Sequence, residues 1–273
     1  AFPQVNEVPI LISEIRTDTV CSVEFGKNYL ERPLSRFVKL KKVVVGESKT
    51  TTKNCCKFLN QIFKNTKKPK ILIVGGGERG AGTDKLWNNE DVQIDSFDIY
   101  ASNTTDVVCD AHYMPFKSNS YDGIWIQAVL EHVVEPSKVV SEAYRVLKLK
   151  GVLYAETPFM QQVHEGAYDF TRFTVLGHRY LFKKFELIDM GGNKGPELVL
   201  AWSFRYFVWA LTRSRKLARI CGLLSGLLMR PFSKLMSKKS MFDASSGVYF
   251  MGRKKRNHSM THKDIVSLYK GQF

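Results

Sequence analysis

Gly75-Gly76-Gly77-Glu78-Arg79-Gly80 sets glycines in a G-x-G-x-x-G pattern directly after the apolar run Ile71–Val74. Glycine at these positions lets a ligand approach the backbone closely, and the loop N–H groups can aim at a negative group at a helix N-terminus. Asp98 follows Gly75 at roughly the 20-residue spacing of a carboxylate that holds ribose hydroxyls. The pair predicts a nucleoside cofactor and by itself suits a nicotinamide dinucleotide as well as any other. The simpler alternative is a tight turn with no ligand. A second cluster is Phe159 to Thr174, where His164, Glu165, Asp169 and Arg172 are interleaved with four aromatic residues. Loops this rich in both aromatic and titratable groups usually carry function. The alternative there is an Asp169–Arg172 ion pair capping a helix at Thr174. His132 is a further candidate base, against a packing role at its turn. His112, His178, His258 and His262 have no partner pattern and are expected to be structural or surface residues.

The run Asp110-Ala111-His112-Tyr113-Met114-Pro115-Phe116, followed by Tyr121-Asp122-Gly123-Ile124-Trp125-Ile126-Gln127-Ala128-Val129-Leu130-Glu131-His132-Val133, decides between cofactors. It resembles the class I S-adenosylmethionine-dependent methyltransferases, type 11 branch, whose pattern is D-A-x-x-L-P-F and then F-D-x-V-x-x-x-x-V-L-E-H. Arg145-Val146-Leu147-Lys148, Gly151 and Leu153 to Pro158 continue the likeness, which covers roughly Lys70 to Gly191. Two positions depart from the pattern. Ile73 stands where the family usually has an acid, and the third glycine is displaced to Gly80. The resemblance implies S-adenosyl-L-methionine as cofactor and a binding set of Gly75, Gly76, Gly77, Gly80, Asp98, Ile99, Asp110, Ala111 and Gln127. In that set Gly75 and Gly77 line the methionine and ribose part, Asp98 takes the ribose hydroxyls, Asp110 and Ala111 face the adenine, and Gln127 closes the floor beneath the sulfonium. Methyl transfer is an in-line displacement, so alignment supplies much of the rate, and a base is needed only where the acceptor has a proton to lose. The catalytic candidates are His164, His132, Asp169 and Arg172, with His164 as base or orienter and Arg172 meeting an anionic part of the acceptor. The pattern H-x-x-x-x-D-F-x-R-F-T also resembles methyltransferases of sugar and cell-surface biosynthesis, so the expected acceptor is a small molecule, glycan or lipid-linked group. The alternatives are an NAD(P)-dependent oxidoreductase, supported by the glycine loop alone, and a degenerate binding subunit, suggested by Ile73.

These residues need a scaffold. Apolar spacing predicts a helix from Thr51 to Asn65. Strands follow at Ile71–Val74, within Val92–Ile99, at Asp106–Cys109, Tyr121–Gln127, Val152–Thr157, Phe185–Met190 and Gly247–Met251. Pro136 opens one helix that Gly151 follows, and another covers Thr174–Lys184. This alternation implies an α/β fold with a doubly wound, mostly parallel seven-stranded sheet, which binds ligands beyond the carboxyl ends of its strands. The methyltransferase domain is expected over 15–191 and 247–273. Residues 1–14 form an extended arm whose F-P-x-x-x-x-x-P pattern resembles the last strand of small zinc-ribbon modules, with Glu7 where those prefer Gly. Residues 192–246 form a basic amphipathic helical insertion before the last strand, broken by Pro231.

The chain has 273 residues, with 41 Lys and Arg against 26 acids for a net charge of +15. Between Leu198 and Arg256 the only acid is Asp243 among many basic residues, so most of that charge is local. Basic residues interleaved with Trp and Phe suit anionic lipid head groups. A helical cap with its charges in water is the alternative. Nucleic acid is not expected, because no recognition motif accompanies the charge. The uncharged stretch Ile220 to Met229 is far shorter than the ~18 residues that span a bilayer. Five cysteines, two adjacent and none in C-x-x-C spacing, predict reduced thiols, no metal and a cytoplasmic location, peripheral to the inner face of a membrane. The chain starts with Ala-Phe-Pro and shows no signal-peptide core.

Overall fold

The computed structural model describes residues 2–16, 18–29 and 49–272. Much of the mixed stretch 15–48, for which the sequence predicts no element, lies outside the described residues. The first elements are the short strands β1 (Gln4–Val5) and β2 (Val8–Pro9) and the single turn α1 (Val23–Gly26). Helix α2 (Lys49–Phe63), strand β3 (Lys70–Val74), the single turn α3 (Asp84–Trp87), β4 (Gln93–Asp98), β5 (Val107–Val108) and β6 (Tyr121–Gln127) follow. Then come α4 (Pro136–Val146), β7 (Leu147–Pro158), α5 (Val175–Leu181) and β8 (Phe185–Gly192). Helices α6 (Pro196–Thr212), α7 (Arg215–Met229) and α8 (Lys238–Ala244) precede β9 (Gly247–Lys254) and α9 (His262–Ser267).

Seven strands form one sheet in the order β5-β4-β3-β6-β7-β9-β8. The first five are mutually parallel, and β9 runs antiparallel between β7 and β8. The expected doubly wound sheet is therefore present. The central strand β3 is apolar from Ile71 to Val74 because both its faces are covered. In β3, Ile71 and Ile73 point to the layer holding Cys55, Phe58, Leu59 and Ile62 of α2. Leu72 and Val74 point to the opposite layer, with Val139, Val140, Ala143 and Val146 of α4. That is the two-residue period of a strand buried on both sides. The largest boundary change is β7, which starts at Leu147 rather than Val152 because Leu147 pairs with Tyr121 beside a register shift, and β8 and β9 run on past Met190 and Met251 to Gly192 and Lys254.

The amino-terminal arm is a hairpin rather than a plain extended segment. Asn6 and Glu7 both have positive φ, 46° and 67°, making the tight turn that joins β1 to β2. Left-handed backbone favours glycine, so Glu7 sits where a glycine would be least strained. Beyond the hairpin Ile10 pairs parallel with Val108, and the Leu11 N–H donates to the Val108 carbonyl at 2.7 Å. The arm thus lies on the outer edge of β5.

Candidate active site

The glycine loop leaves β3 at its carboxyl end. Gly75 is left-handed (φ 75°), and both Gly75 and Gly76 N–H groups donate to the Phe97 carbonyl of β4 at 3.0 and 2.9 Å. A Cβ on Gly75 would collide with Val129, one on Gly77 would stand 2.8 Å from Asp98 Oδ2, and one on Gly80 would run into Gln127 Oε1. The loop is therefore a cradle that only glycine backbone permits. It does not open directly onto a helix, as the motif suggests. Gly80 and left-handed Gly82 carry the chain through turns to α3, a single helical turn starting at Asp84. A pyrophosphate seated on a long helix N-terminus, the dinucleotide arrangement, has no counterpart here.

Asp98 ends β4 and is buried. Its Oδ2 accepts from the Gly77 N–H at 2.8 Å and its Oδ1 from the Ile99 N–H at 2.7 Å. One carboxylate thus ties the glycine loop to the end of the next strand. Asp110 and Ala111, also buried, follow β5. Asp110 caps the short turn Ala111–Tyr113 through the His112 N–H at 2.8 Å and meets His112 Nδ1 at 2.6 Å and the Thr19 hydroxyl. These bonds hold its pKa below the usual carboxylate range even though burial pushes the other way. Gln127 ends β6, receiving the Trp125 indole N–H at 3.1 Å and reaching the Ala81 carbonyl at 3.3 Å. All nine expected cofactor residues gather at the carboxyl edge of β3, β4, β5 and β6. Thr19 and the ion-paired Asp18, which meets Lys138 at 3.0 Å, lie over the Asp110 side and escaped sequence reasoning.

The catalytic candidates converge beside this edge. Val129, which stands against Gly75, is followed two residues on by Glu131 and then His132. The loop after β7 brings His164 back, so that the two imidazole centroids lie 4.9 Å apart, edge to face. Asp169 accepts from the His164 N–H at 2.9 Å, stands 3.2 Å from its Nδ1, and pairs with both guanidinium nitrogens of Arg172. The Arg172 guanidinium and the His164 N–H hold the Asp169 carboxyl well below its ordinary range. Arg172, expected to meet an anionic part of the acceptor, also donates to the carbonyls of Gln161, Thr171 and Gln162. Its donors are committed to shaping the loop. Thr174 caps α5 through the Gly177 N–H at 3.0 Å, so the local ion pair and the cap both exist. Burial, and then the neighbouring His132, push the His164 pKa down.

Glu131 was not singled out by sequence, although it stands in the motif next to His132. It is completely buried, and burial pushes its carboxyl up to about 8. Sequence reasoning also missed Arg205, Arg215 and Arg219 as site residues. With Tyr206, Trp209 and Ala218 of α6 and α7 they line a cavity of about 270 Å³ whose remaining wall is His164. The Tyr206 hydroxyl donates to the Val163 carbonyl at 2.8 Å, and Gln162 Nε2 to Ser203 Oγ at 3.2 Å, tying α6 to the His164 loop. Their signal was the concentration of arginines, which alone does not say which way they face.

Residues 87–155 match the family model described as "Methyltransferase domain", type 11. A 2-methoxy-6-polyprenyl-1,4-benzoquinol methylase of Caenorhabditis elegans is 37% identical over 84 residues, which cover 29% of this chain and 30% of the relative. The chain therefore spans less than a third of the length of that relative. Solved structures with related backbones include a SAM dependent methyltransferase from Archaeoglobus fulgidus (14% identity, 81% of this chain and all of that one, TM-score 0.49). Another is phosphoethanolamine N-methyltransferase 2 of Haemonchus contortus (17% identity, 82% of this chain and 59% of that one, TM-score 0.47).

Proposed function

We infer, from a chain that carries a class I S-adenosylmethionine-dependent methyltransferase domain of the type 11 branch, that it methylates an anionic acceptor presented on a lipid or as a small molecule. The observation that carries the acceptor's charge is the cavity between His164 and the three arginines of α6 and α7. S-adenosylmethionine, when bound, supplies a methyl carbon activated on a sulfonium, which an acceptor lone pair displaces in line while sulfur keeps the electron pair. The glycine loop fits that cofactor, since its close backbone approach and the neighbouring carboxylate match an adenosyl group bearing hydroxyls. Gly75, Gly76, Gly77 and Gly80 cradle the methionine and ribose part, and Asp98 with Ile99 holds the ribose. Asp110 and Ala111 border the adenine, and Gln127 closes the floor.

On the acceptor side Arg205, Arg215 and Arg219 supply paired, planar donors suited to phosphate or carboxylate. Tyr206 and Trp209 offer aromatic surface to whatever bears the anion. Arg172 acts as a positioning residue that fixes Asp169, and Asp169 fixes His164. His132 and His164 stand where the acceptor's reacting atom would meet the cofactor edge. A lipid-linked acceptor is favoured over a free one by the exposed Leu200, Phe204, Phe207, Leu224 and Leu228 on the same two helices. No helix among the described residues is long and apolar enough to cross a membrane, so the lipid would be met at its surface.

Calorimetric titration with S-adenosylmethionine and with S-adenosylhomocysteine tests the reading. Micromolar or tighter binding of both is expected. A folded protein that binds neither overturns it, and quenching of Trp fluorescence by a nicotinamide cofactor instead would favour the oxidoreductase alternative.

A further inference from the structure

Neither carboxylate oxygen of Glu131 has a hydrogen-bond partner, although the side chain is fully buried. A buried carboxylate without a partner is costly. What it faces are two ring nitrogens, His132 Nε2 at 3.6 Å and His164 Nε2 at 3.9 Å. The opposite nitrogens each face an oxygen. His132 Nδ1 lies 2.6 Å from the Tyr168 carbonyl oxygen, and His164 Nδ1 lies 3.2 Å from Asp169 Oδ2. A carbonyl only accepts, so in a neutral imidazole His132 Nδ1 carries the proton and its Nε2 presents a lone pair, and the Asp169 carboxylate beside His164 Nδ1 favours the same tautomer there. Three acceptors therefore converge with no donor among them. A proton on Glu131 would satisfy one imidazole and leave the other facing a second acceptor. One positive ion at the centre satisfies all three.

We propose that Glu131, His132 and His164 form a binding site for one divalent cation, with zinc the best match to the donor set. One ligand atom from each residue lies within 4.8 Å of the others, so small side-chain movements bring all three to bonding distance of a common centre. Two imidazoles and one carboxylate are a familiar ligand set for zinc and iron, and three protein ligands leave a coordination position open. The outer partners fit as well. Metal-bound histidines usually donate their second N–H to a carboxylate or a backbone carbonyl, and here Asp169 and Tyr168 provide one of each. The H-x-x-x-x-D-F-x-R stretch then has a physical order: ligand, the carboxylate that orients it, and the arginine that clamps that carboxylate. The cavity that His164 lines adjoins this cluster. An acceptor hydroxyl is the class of ligand such a position takes, because a bound cation lowers the pKa of a coordinated oxygen. That assignment of the acceptor rests on the methyltransferase reading, whereas the cation site does not.

The test uses the full chain without a polyhistidine tag, stripped with chelator and titrated with zinc ion alone, then with cobalt ion as a coloured replacement. One equivalent is expected to bind with a micromolar or tighter Kd, with cobalt giving a visible spectrum of imidazole and carboxylate ligation. His132→Ala, His164→Ala and Glu131→Gln should each weaken zinc at least 100-fold, and Asp169→Asn by about 10- to 100-fold. Circular dichroism checks the fold of every variant, and the two histidine variants decide if Glu131→Gln does not fold. Failure of the folded parent chain to bind one equivalent, or binding unchanged in both histidine variants, overturns the site. S-adenosylhomocysteine titrated in parallel separates the two claims: if it does not bind while zinc does, the cofactor reading falls and the metal site stands.

Discussion

At the scale of single residues, Asp98 does two jobs with one carboxylate. It accepts from Gly77 and Ile99 and faces the position expected for ribose. Asp98→Ala should weaken S-adenosylhomocysteine by roughly 1.5–3 kcal/mol, the scale of hydrogen bonds to a charged group, with calorimetry as the measurement. Unchanged affinity would remove Asp98 from the ribose role. His178 supports a second expectation. It is fully buried against the Thr157 hydroxyl at 3.0 Å, and burial pushes its pKa down to about 3. In the unfolded chain it returns to its ordinary value near 6.5. Between those values the unfolded state binds the extra proton, so its contribution is whole above pH 6.5 and is lost as pH falls toward 3. Unfolding free energies from urea titrations at pH 7 and 4.5 should differ by roughly 2 kcal/mol more in the parent chain than in His178→Gln. The places of the glycines and Asp98 were readable because they follow from short spacing after a strand. Glu131 was not, because its burial is set by the fold and its second imidazole neighbour, His164, comes from a loop more than thirty residues away in sequence.

Among the elements, α6 and α7 owe their close crossing to Gly222. A Cβ there would stand 2.9 Å from Arg205 Cβ and 3.0 Å from Arg205 Cδ. Gly222→Val should push Arg205 and the two helices apart, at a cost of about 1–3 kcal/mol from overpacking. Differential scanning calorimetry should show Tm lower by roughly 2–4 °C per kcal/mol, while S-adenosylhomocysteine binding stays unchanged. A Tm at or above the parent value would mean that the crossing is loose. Most strands were readable from apolar runs ended by Gly, Pro or an acid, and Tyr121–Gln127 has the bounds its sequence implies. The helix that a glycine motif leads one to expect was not. Gly80, Gly82 and Thr83 hold the chain in turns, and only Asp84–Trp87 closes. Nor could spacing say how α6 and α7 face, since apolar residues occur all round α6 and only Ala201 of that helix is buried.

For the whole molecule, charge and apolar exposure coincide. The Leu198–Arg256 region holds the basic excess, and Phe204, Phe207, Trp209, Ile220 and Leu227 are exposed on its helices. Each basic residue near an anionic surface contributes roughly 1 kcal/mol, so a handful facing lipid would localise the protein. Co-sedimentation with vesicles containing anionic lipid is expected at low salt, weakening at ~0.5 M where screening is strong. Reversing Lys216 and Lys234 to Glu should weaken it further. Protein left in the supernatant at low salt would reduce the segment to a solvated face. Composition located the charge correctly, but the cavity it lines was out of reach, because three arginines meet His164 only once β8 has carried the chain back to the loop after β7.

The strand order carries a consequence for synthesis. β8 touches the sheet only through β9, which is inserted between β7 and β8 although it is made after both. A ribosome therefore releases α6 and α7 while β7 still has an unpaired edge and β8 has nowhere to dock. In that interval the basic, apolar helices are tethered to the sheet only through an unpaired β8. Arrival of Gly247–Lys254 seals the edge, fixes β8 and draws the helices against the His164 loop in one event. The last strand to be made is thus the one that brings the arginines of α6 and α7 to the His164 loop.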